Sequence, residues 1–374
     1  MARRLNLRFL FLGLVLATLA VVQVVREPRP SFLGVGQRLF AYVANSGDGT
    51  VTVVDLVSLS PRAVIPVGSS APAGLRAHTG KKQIWGVSTD GGYAWVLDAA
   101  AGRIAARIPV GAGPLGMDFS PDGQRAYVTA SGANTLVAVD TATMQVVARA
   151  RTGRRPWPPH ITPDGKTVLV PNRDDGTLEL FDAKTLASLG SVAVTQHPEQ
   201  VSVLPDSSVA FVSAGDEKQI SAVDLRRRVL LVNLQLDGRP GHMILKPDGG
   251  ELYVTVPDTH GIAIINTWTM EVAESKVVGL APSQGSLTSG AEQLFVSDSA
   301  AGRILPISVA SRHVGTPIPV GRGPGVSRLD PSGDLLLVAN RESNDLAVIR
   351  VRTASLLTLV PVGPQPTDLA VLLF

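Results

Sequence analysis

Apolar and polar residues alternate along most of this chain, as in Thr50-Val51-Thr52-Val53-Val54-Asp55, a period of 2 that marks half-buried strands. No helical period appears after residue 30. The alternating runs also recur. An aromatic residue or leucine opens each unit at Tyr42, Trp85, Tyr127, Leu169, Phe211, Tyr253, Phe295 and Leu337, spaced by 43 residues and then by 42 six times. Thirteen residues after each opener stands Asp55, Asp98, Asp140, Asp182, Asp224, Asn266, Ser308 or Arg350. Twenty-six residues after it, six of the eight units carry a glycine: Gly68, Gly111, Gly153, Gly279, Gly321 and Gly363.

Each unit reads as four short strands. In the third they are 116–120, 125–129, 135–139 and 146–150, separated by Pro-Asp-Gly, Ser-Gly-Ala-Asn and Asp-Thr-Ala-Thr, all of them turn sequences. One four-stranded sheet cannot cover both its faces, whereas sheets stacked radially about an axis cover one another. The expected fold is therefore all-β: an eight-bladed β-propeller of four-stranded antiparallel blades over residues 34–374, with units ending near 68, 111, 153, 195, 238, 279, 321 and 363. The chain enters at the second strand of the first unit (38–44), and 367–374 align with a first strand. The C-terminal strand is thus expected to join the N-terminal blade and close the ring.

Composition narrows the function. The 374 residues include no cysteine, which excludes disulfides, thiolate zinc sites, thiol catalysis and covalent haem attachment through cysteine. The net charge is +3, but residues 1–30 carry +4, so the remainder is near −1 and has no electrostatic footprint for nucleic acid. Arg3, Arg4 and Arg8 precede an uncharged apolar run over 9–25, the pattern of a signal peptide or an uncleaved signal-anchor. Either one predicts a periplasmic or otherwise extracytoplasmic protein that meets the membrane through its N-terminal segment only.

Tyr42-Val43-Ala44-Asn45, Tyr127-Val128-Thr129-Ala130, Tyr253-Val254-Thr255-Val256 and Leu337-Val338-Ala339-Asn340 resemble the repeats of the YVTN-repeat β-propellers. Ser120-Pro121-Asp122-Gly123 and Ile65-Pro66-Val67-Gly68 extend the resemblance, which covers residues 34–374. It implies an exported binding or surface protein. Many members of that family have seven blades. A count of eight is instead similar to the haem-binding propeller of dissimilatory nitrite reductases and related haem-maturation proteins.

Repeated positions serve folding, so function is sought where the units differ on a shared surface. The first strand of each blade is expected to line the central channel. One column of the repeat reads Gly74, Gly116, Pro158, Gln200, His242, Gln284, Val326, Asp368, and the column two residues on reads Arg76, Asp118, His160, Ser202, Ile244, Ser286, Arg328, Ala370. Arg76, Asp118, His160, His242, Arg328 and Asp368 are therefore the candidate ligand-binding residues. Arg76 and Arg328 suit the acid groups of a small anionic ligand; the competing reading is a hydrated channel of satisfied ion pairs. His160, His197, His242 and His260 are expected at one side of one mouth, beside Trp157, Asp174, Asp175 and Asp258. Such a set is a candidate for zinc, copper or haem iron, unless these are separate solvated loop residues.

Several motifs fail. Gly111-Ala112-Gly113-Pro114-Leu115-Gly116 leads into a strand, not the helix a phosphate site needs, and Gly165-Lys166-Thr167 lacks the earlier glycine of a P-loop. Arg226-Arg227-Arg228 reads as a solvated turn. The expected function is a non-enzymatic scaffold for an unidentified protein or a small anionic ligand, with no cofactor expected. The alternatives are a haem- or metal-binding propeller and a lactone hydrolase using His160 beside Asp118 as base.

Overall fold

The computed structural model describes residues 37–68 and 71–374. The expected signal or anchor, residues 1–30, lies outside them. Among the described residues no helix is long and apolar enough to cross a membrane.

Eight four-stranded antiparallel sheets follow one another along the chain. Seven are built from consecutive strands. Blade 1 takes Leu39–Asn45, Thr50–Asp55 and Ser60–Pro66 from the start of the ring and Pro366–Leu373 from its end. The junction is a full ladder from Leu39 opposite Leu373 to Asn45 opposite Pro366. Beyond it, Arg38 N–H donates to Phe374 O at 3.1 Å and Phe374 N–H to Arg38 O at 2.8 Å. The C-terminal strand therefore closes the ring as its sequence alignment predicts. The helical content of the described residues is two single turns, Thr79–Lys81 and Pro257–Thr259.

The repeat positions explain the construction. All eight openers, Tyr42 through Leu337, are buried and fill the space between blades. The acid thirteen residues on caps the turn between the third and fourth strands. Asp98 Oδ1, for example, accepts from Ala100 and Ala101 N–H at 2.9 Å each, and Asn266 Oδ1 accepts from Trp268 and Thr269 N–H at 2.9 and 3.1 Å. Pairing of Leu39 with Leu373 and of Phe40 with Asp55 places the start of the second strand, the end of the first and the end of the third at one end of the blade. The first-to-second and third-to-fourth turns of every blade thus share one face of the ring, and the chain enters on that face.

The first strands pack against one another around the axis, Pro366–Leu373 against both Pro72–His78 and Pro324–Leu329. In blades 1, 2, 3, 5, 7 and 8 the pairing of the first strand slips by one residue near its start, a β-bulge that re-aims the side chains beyond it. Blades 4 and 6 keep only His160–Ile161 and Met243–Leu245 as first strands. Their approaches contain Pro156, Pro158 and Pro159 or Pro240, which have no N–H to give a ladder.

Candidate functional site

The channel wall is held by side chains that cross from one blade to the next. Asp368 Oδ2 in blade 1 accepts from Leu75 N–H in blade 2 at 2.8 Å. Asp118 Oδ2 in blade 3 accepts from Ile161 N–H in blade 4 at 3.0 Å. Gln200 Oε1 in blade 5 accepts from Met243 N–H in blade 6 at 3.3 Å, and His242 Nδ1 in blade 6 accepts from Gly285 N–H in blade 7 at 3.2 Å. In every case the donor lies one repeat position further along in the next blade. Where the column is small, the blades close directly: a Cβ on Gly74 (φ +60°) would stand 2.8 Å from Gly116 Cα, and one on Gly116 would stand 3.0 Å from Pro158 Cβ.

These clasps occupy the carboxylates of the two columns, leaving the arginines short of partners. Asp368 Oδ1 takes its own strand's Leu369 N–H at 2.8 Å and meets Arg328 Nη2 only at 3.7 Å. Asp118 Oδ1 takes Phe119 N–H at 3.1 Å. Arg76 Nη1 donates to Leu75 O at 3.0 Å, and among the described residues no carboxylate comes within 4.0 Å of its guanidinium. The competing reading of a channel of satisfied ion pairs does not hold at Arg76. Enclosure by protein lowers the proton affinity of Arg328; Asp368 opposes this and Arg76 adds to it. Arg76 and Arg328 stand on the blades either side of blade 1.

The four candidate metal histidines have separate surroundings. His160 Nδ1 lies 3.5 Å from Asp118 Oδ2, and burial holds its pKa below the ordinary value, with Asp118 opposing and Arg76 reinforcing. Burial, with help from Arg328, depresses His242 to about 4. Its Nδ1 is an acceptor, so the neutral ring carries its proton on Nε2. His197 Nδ1 approaches Asp216 Oδ2 at 2.5 Å, and the exposed His260 bonds Leu280 O through Nδ1. Nor do the acids expected beside them converge: Asp175 and Asp174 pair with Arg154 and Arg155, and Asp258 pairs with Arg239. Among the described residues no three His, Asp or Glu side chains are grouped so as to hold a metal ion. His197 and His260 are turn residues with φ of 50° and 58°.

The sequence reading missed the group that links blades 4 and 5. Arg173 lies over the Trp157 ring at 5.5 Å and reaches Glu199 at 3.3 Å and Asp216 at 3.7 Å. Glu199 and Trp157 share a repeat column one position before Gln200 and Pro158, so that column was the available signal. Arg173 and Asp216 sit in loops of no regular pattern.

The profile of the family described as YNCE-like beta-propeller matches residues 119–371. The chain belongs to this family. No curated protein matches it. Among solved structures, this YNCE-like propeller is similar to the dihydro-heme d1 dehydrogenase NirN in complex with DHE, with a TM-score of 0.76 at 17% identity over 92% of this chain and 77% of that one. It is also similar to the hydrazine synthase of Kuenenia stuttgartiensis (0.60, 19% identity, 75% of this chain and 95% of that one). A functionally unknown protein from Desulfotomaculum acetoxidans gives 0.61 at 13% identity over 89% of this chain and 98% of that one. At these identities the likeness is one of fold.

Proposed function

We propose that this YNCE-like propeller is an extracytoplasmic, non-enzymatic binding protein whose channel takes a small anionic ligand between Arg76 and Arg328. One observation carries the reading: the channel holds a surplus of donors. A guanidinium has five N–H groups. Arg76 uses one on a backbone carbonyl, and Arg328 has a single loose carboxylate at 3.7 Å. A carboxylate or phosphate between them supplies the missing acceptors and offsets their mutual repulsion. The location outside the cytoplasm is supported by Arg3, Arg4 and Arg8 ahead of the apolar run at 9–25.

The test is calorimetric titration with inorganic phosphate and with a short dicarboxylate. Binding is expected for at least one of them, lost in Arg76→Gln and Arg328→Gln and retained in Arg322→Gln on the exposed surface. Binding that survives both channel substitutions, or no heat with either anion, removes the reading.

A second reading, a haem-binding propeller, is favoured by His160. Its Nδ1 faces Asp118, which leaves Nε2 as a ligand atom backed by a carboxylate. A haem brings four nitrogens of its own, so one imidazole and two guanidiniums for its acid groups fit it; a bare metal ion finds too few ligands here. His160 would hold the iron, and the bound group would supply redox chemistry. A visible absorption band in natively purified protein, lost in His160→Ala, supports this reading; colourless protein counts against it.

A further inference from the structure

We propose that the face of the ring on which the chain enters rests on an anionic lipid surface through the third-to-fourth strand turns of blades 4–6. This rests on the tethered, extracytoplasmic reading above. The position two residues after the turn cap runs Val57, Ala100, Ala142, Lys184, Arg226, Trp268, Ala310, Arg352 around the ring. Three neighbouring blades thus present Lys184, Arg226 and Trp268 at one height. The Trp268 side chain is 76% exposed, the most exposed large apolar residue described, and only one edge of its ring leans on Gly250. A tryptophan with an apolar body and one N–H is suited to the boundary between headgroups and acyl chains.

The charge beside it faces outward. Arg226, Arg227 and Arg228 are all exposed. Arg227 is 80% exposed, whereas the carboxylate of Asp224 is 21% exposed and turned inward, accepting from Arg226 and Arg227 N–H at 2.9 and 2.8 Å. Asp248 on the adjoining turn is met by Lys246 at 3.0 Å. Val229, Leu230 and Leu231 continue the same segment, each about two-fifths exposed. Exposed guanidiniums next to apolar side chains match phosphate headgroups above acyl chains.

The tether bears on which face meets the lipid. Arg38 starts the ring on this face, and twelve residues separate it from the apolar run ending at Val25. Fully extended they reach roughly 40 Å. A run 9–25 held in a bilayer therefore limits how far Arg38, and with it this face, can stand from the lipid.

The experiment reconstitutes the full chain into phosphatidylcholine vesicles, with and without half phosphatidylglycerol, carrying brominated acyl chains. Trp268 emission is read as the difference from Trp268→Phe. Strong quenching in anionic vesicles and weak quenching in neutral ones is expected. For the propeller cleaved from residues 1–30, which retains the whole closed ring, replacing Arg226, Arg227 and Arg228 by Ser is expected to weaken anionic-vesicle binding on the order of a hundredfold. Trp268 emission that is the same in all vesicles overturns the proposal. Binding of polyglutamate in place of vesicles overturns it in favour of an acidic protein. Full chain that floats with neutral vesicles while Trp268 stays unquenched in anionic ones overturns the docking face and leaves the tether standing. Cleaved propeller that binds anionic vesicles when the full chain does not float with neutral ones overturns the tether and leaves the docking face standing.

Discussion

His242 offers a direct measurement of what the channel clasps contribute. Its Nδ1 accepts Gly285 N–H at 3.2 Å, and burial, helped by Arg328, lowers its pKa from 6.5 to about 4. A folded pKa below the unfolded one means that the folded protein prefers the neutral ring. The stabilisation is complete above pH 6.5 and is lost as pH falls from 6.5 through 4, because the unfolded chain takes up the proton first. A gap of that size corresponds to about 3 kcal/mol. His242→Gln isolates it. Gln200, the equivalent residue one blade earlier, already makes the same clasp, with Oε1 accepting Met243 N–H at 3.3 Å and Nε2 donating to Gly241 O at 2.8 Å. The variant is expected to lie within about 1 kcal/mol of the native protein at pH 8. Urea unfolding at pH 8, 6.5, 5 and 4 should then show it gaining about 3 kcal/mol relative to native toward the acid end. His160, which is also depressed, is present in both proteins and cancels. Parallel pH profiles would refute the account.

Asp368→Ala leaves the buried Leu75 N–H without an acceptor and removes the one carboxylate within 4.0 Å of Arg328 among the described residues; a loss of about 2–4 kcal/mol, or roughly 3–6 °C in Tm for a ring of this size, is expected by calorimetry, and a drop under about 1 °C would contradict it. Gly74→Ala sets a Cβ against Gly116 Cα at 2.8 Å and at φ +60°, and should cost about 1–3 kcal/mol in the same assay; an unchanged Tm would show that the two strands can separate freely. Removing residues 364–374 takes away the closing strand with buried Leu369 and Leu372, so proteolysis should become rapid and the melting transition broad, whereas native protease resistance and Tm would contradict closure by this strand. Arg76→Gln, which deletes a cation with no carboxylate beside it, should leave the ligand-free Tm unchanged or raised at low salt; a fall comparable to that of Asp368→Ala would give Arg76 a structural role.

The fold was legible because every blade repeats the same solution. Tyr42, Trp85 and their equivalents fill the gaps between blades, and Asp55, Asp98 and theirs cap one turn; both functions are local enough to be written at a fixed spacing. The shortened first strands of blades 4 and 6 were also written, in Pro156, Pro158, Pro159 and Pro240, although the averaged repeat hides them. The site was legible only as columns. Arg76, Asp118, His160, Arg328 and Asp368 lie on first strands and His242 just before one, but their partners depend on a register that a one-residue bulge resets in six blades. Charge alone would match Asp368 and Asp118 with Arg76. In the folded ring, backbone N–H groups one position further along reach those carboxylates first. The positive φ of the turn residues His197 and His260 is likewise invisible to a 42-residue period.

The clasps also bear on how the proposed channel ligand is tested. Blades 1, 3, 5 and 6 are joined to their successors by Asp368, Asp118, Gln200 and His242, blades 2 and 3 by the close approach of Gly74, Gly116 and Pro158, and blade 7 to blade 8 by Ser286 Oγ donating to Ser327 O at 3.0 Å. None of these contacts uses a guanidinium. Substituting a clasp residue lowers affinity by loosening the hub, so a loss of binding at Asp368 or His242 says little about recognition. Among the described residues the Arg76 side chain bonds only within its own strand, so binding lost at Arg76 with stability intact separates recognition from construction.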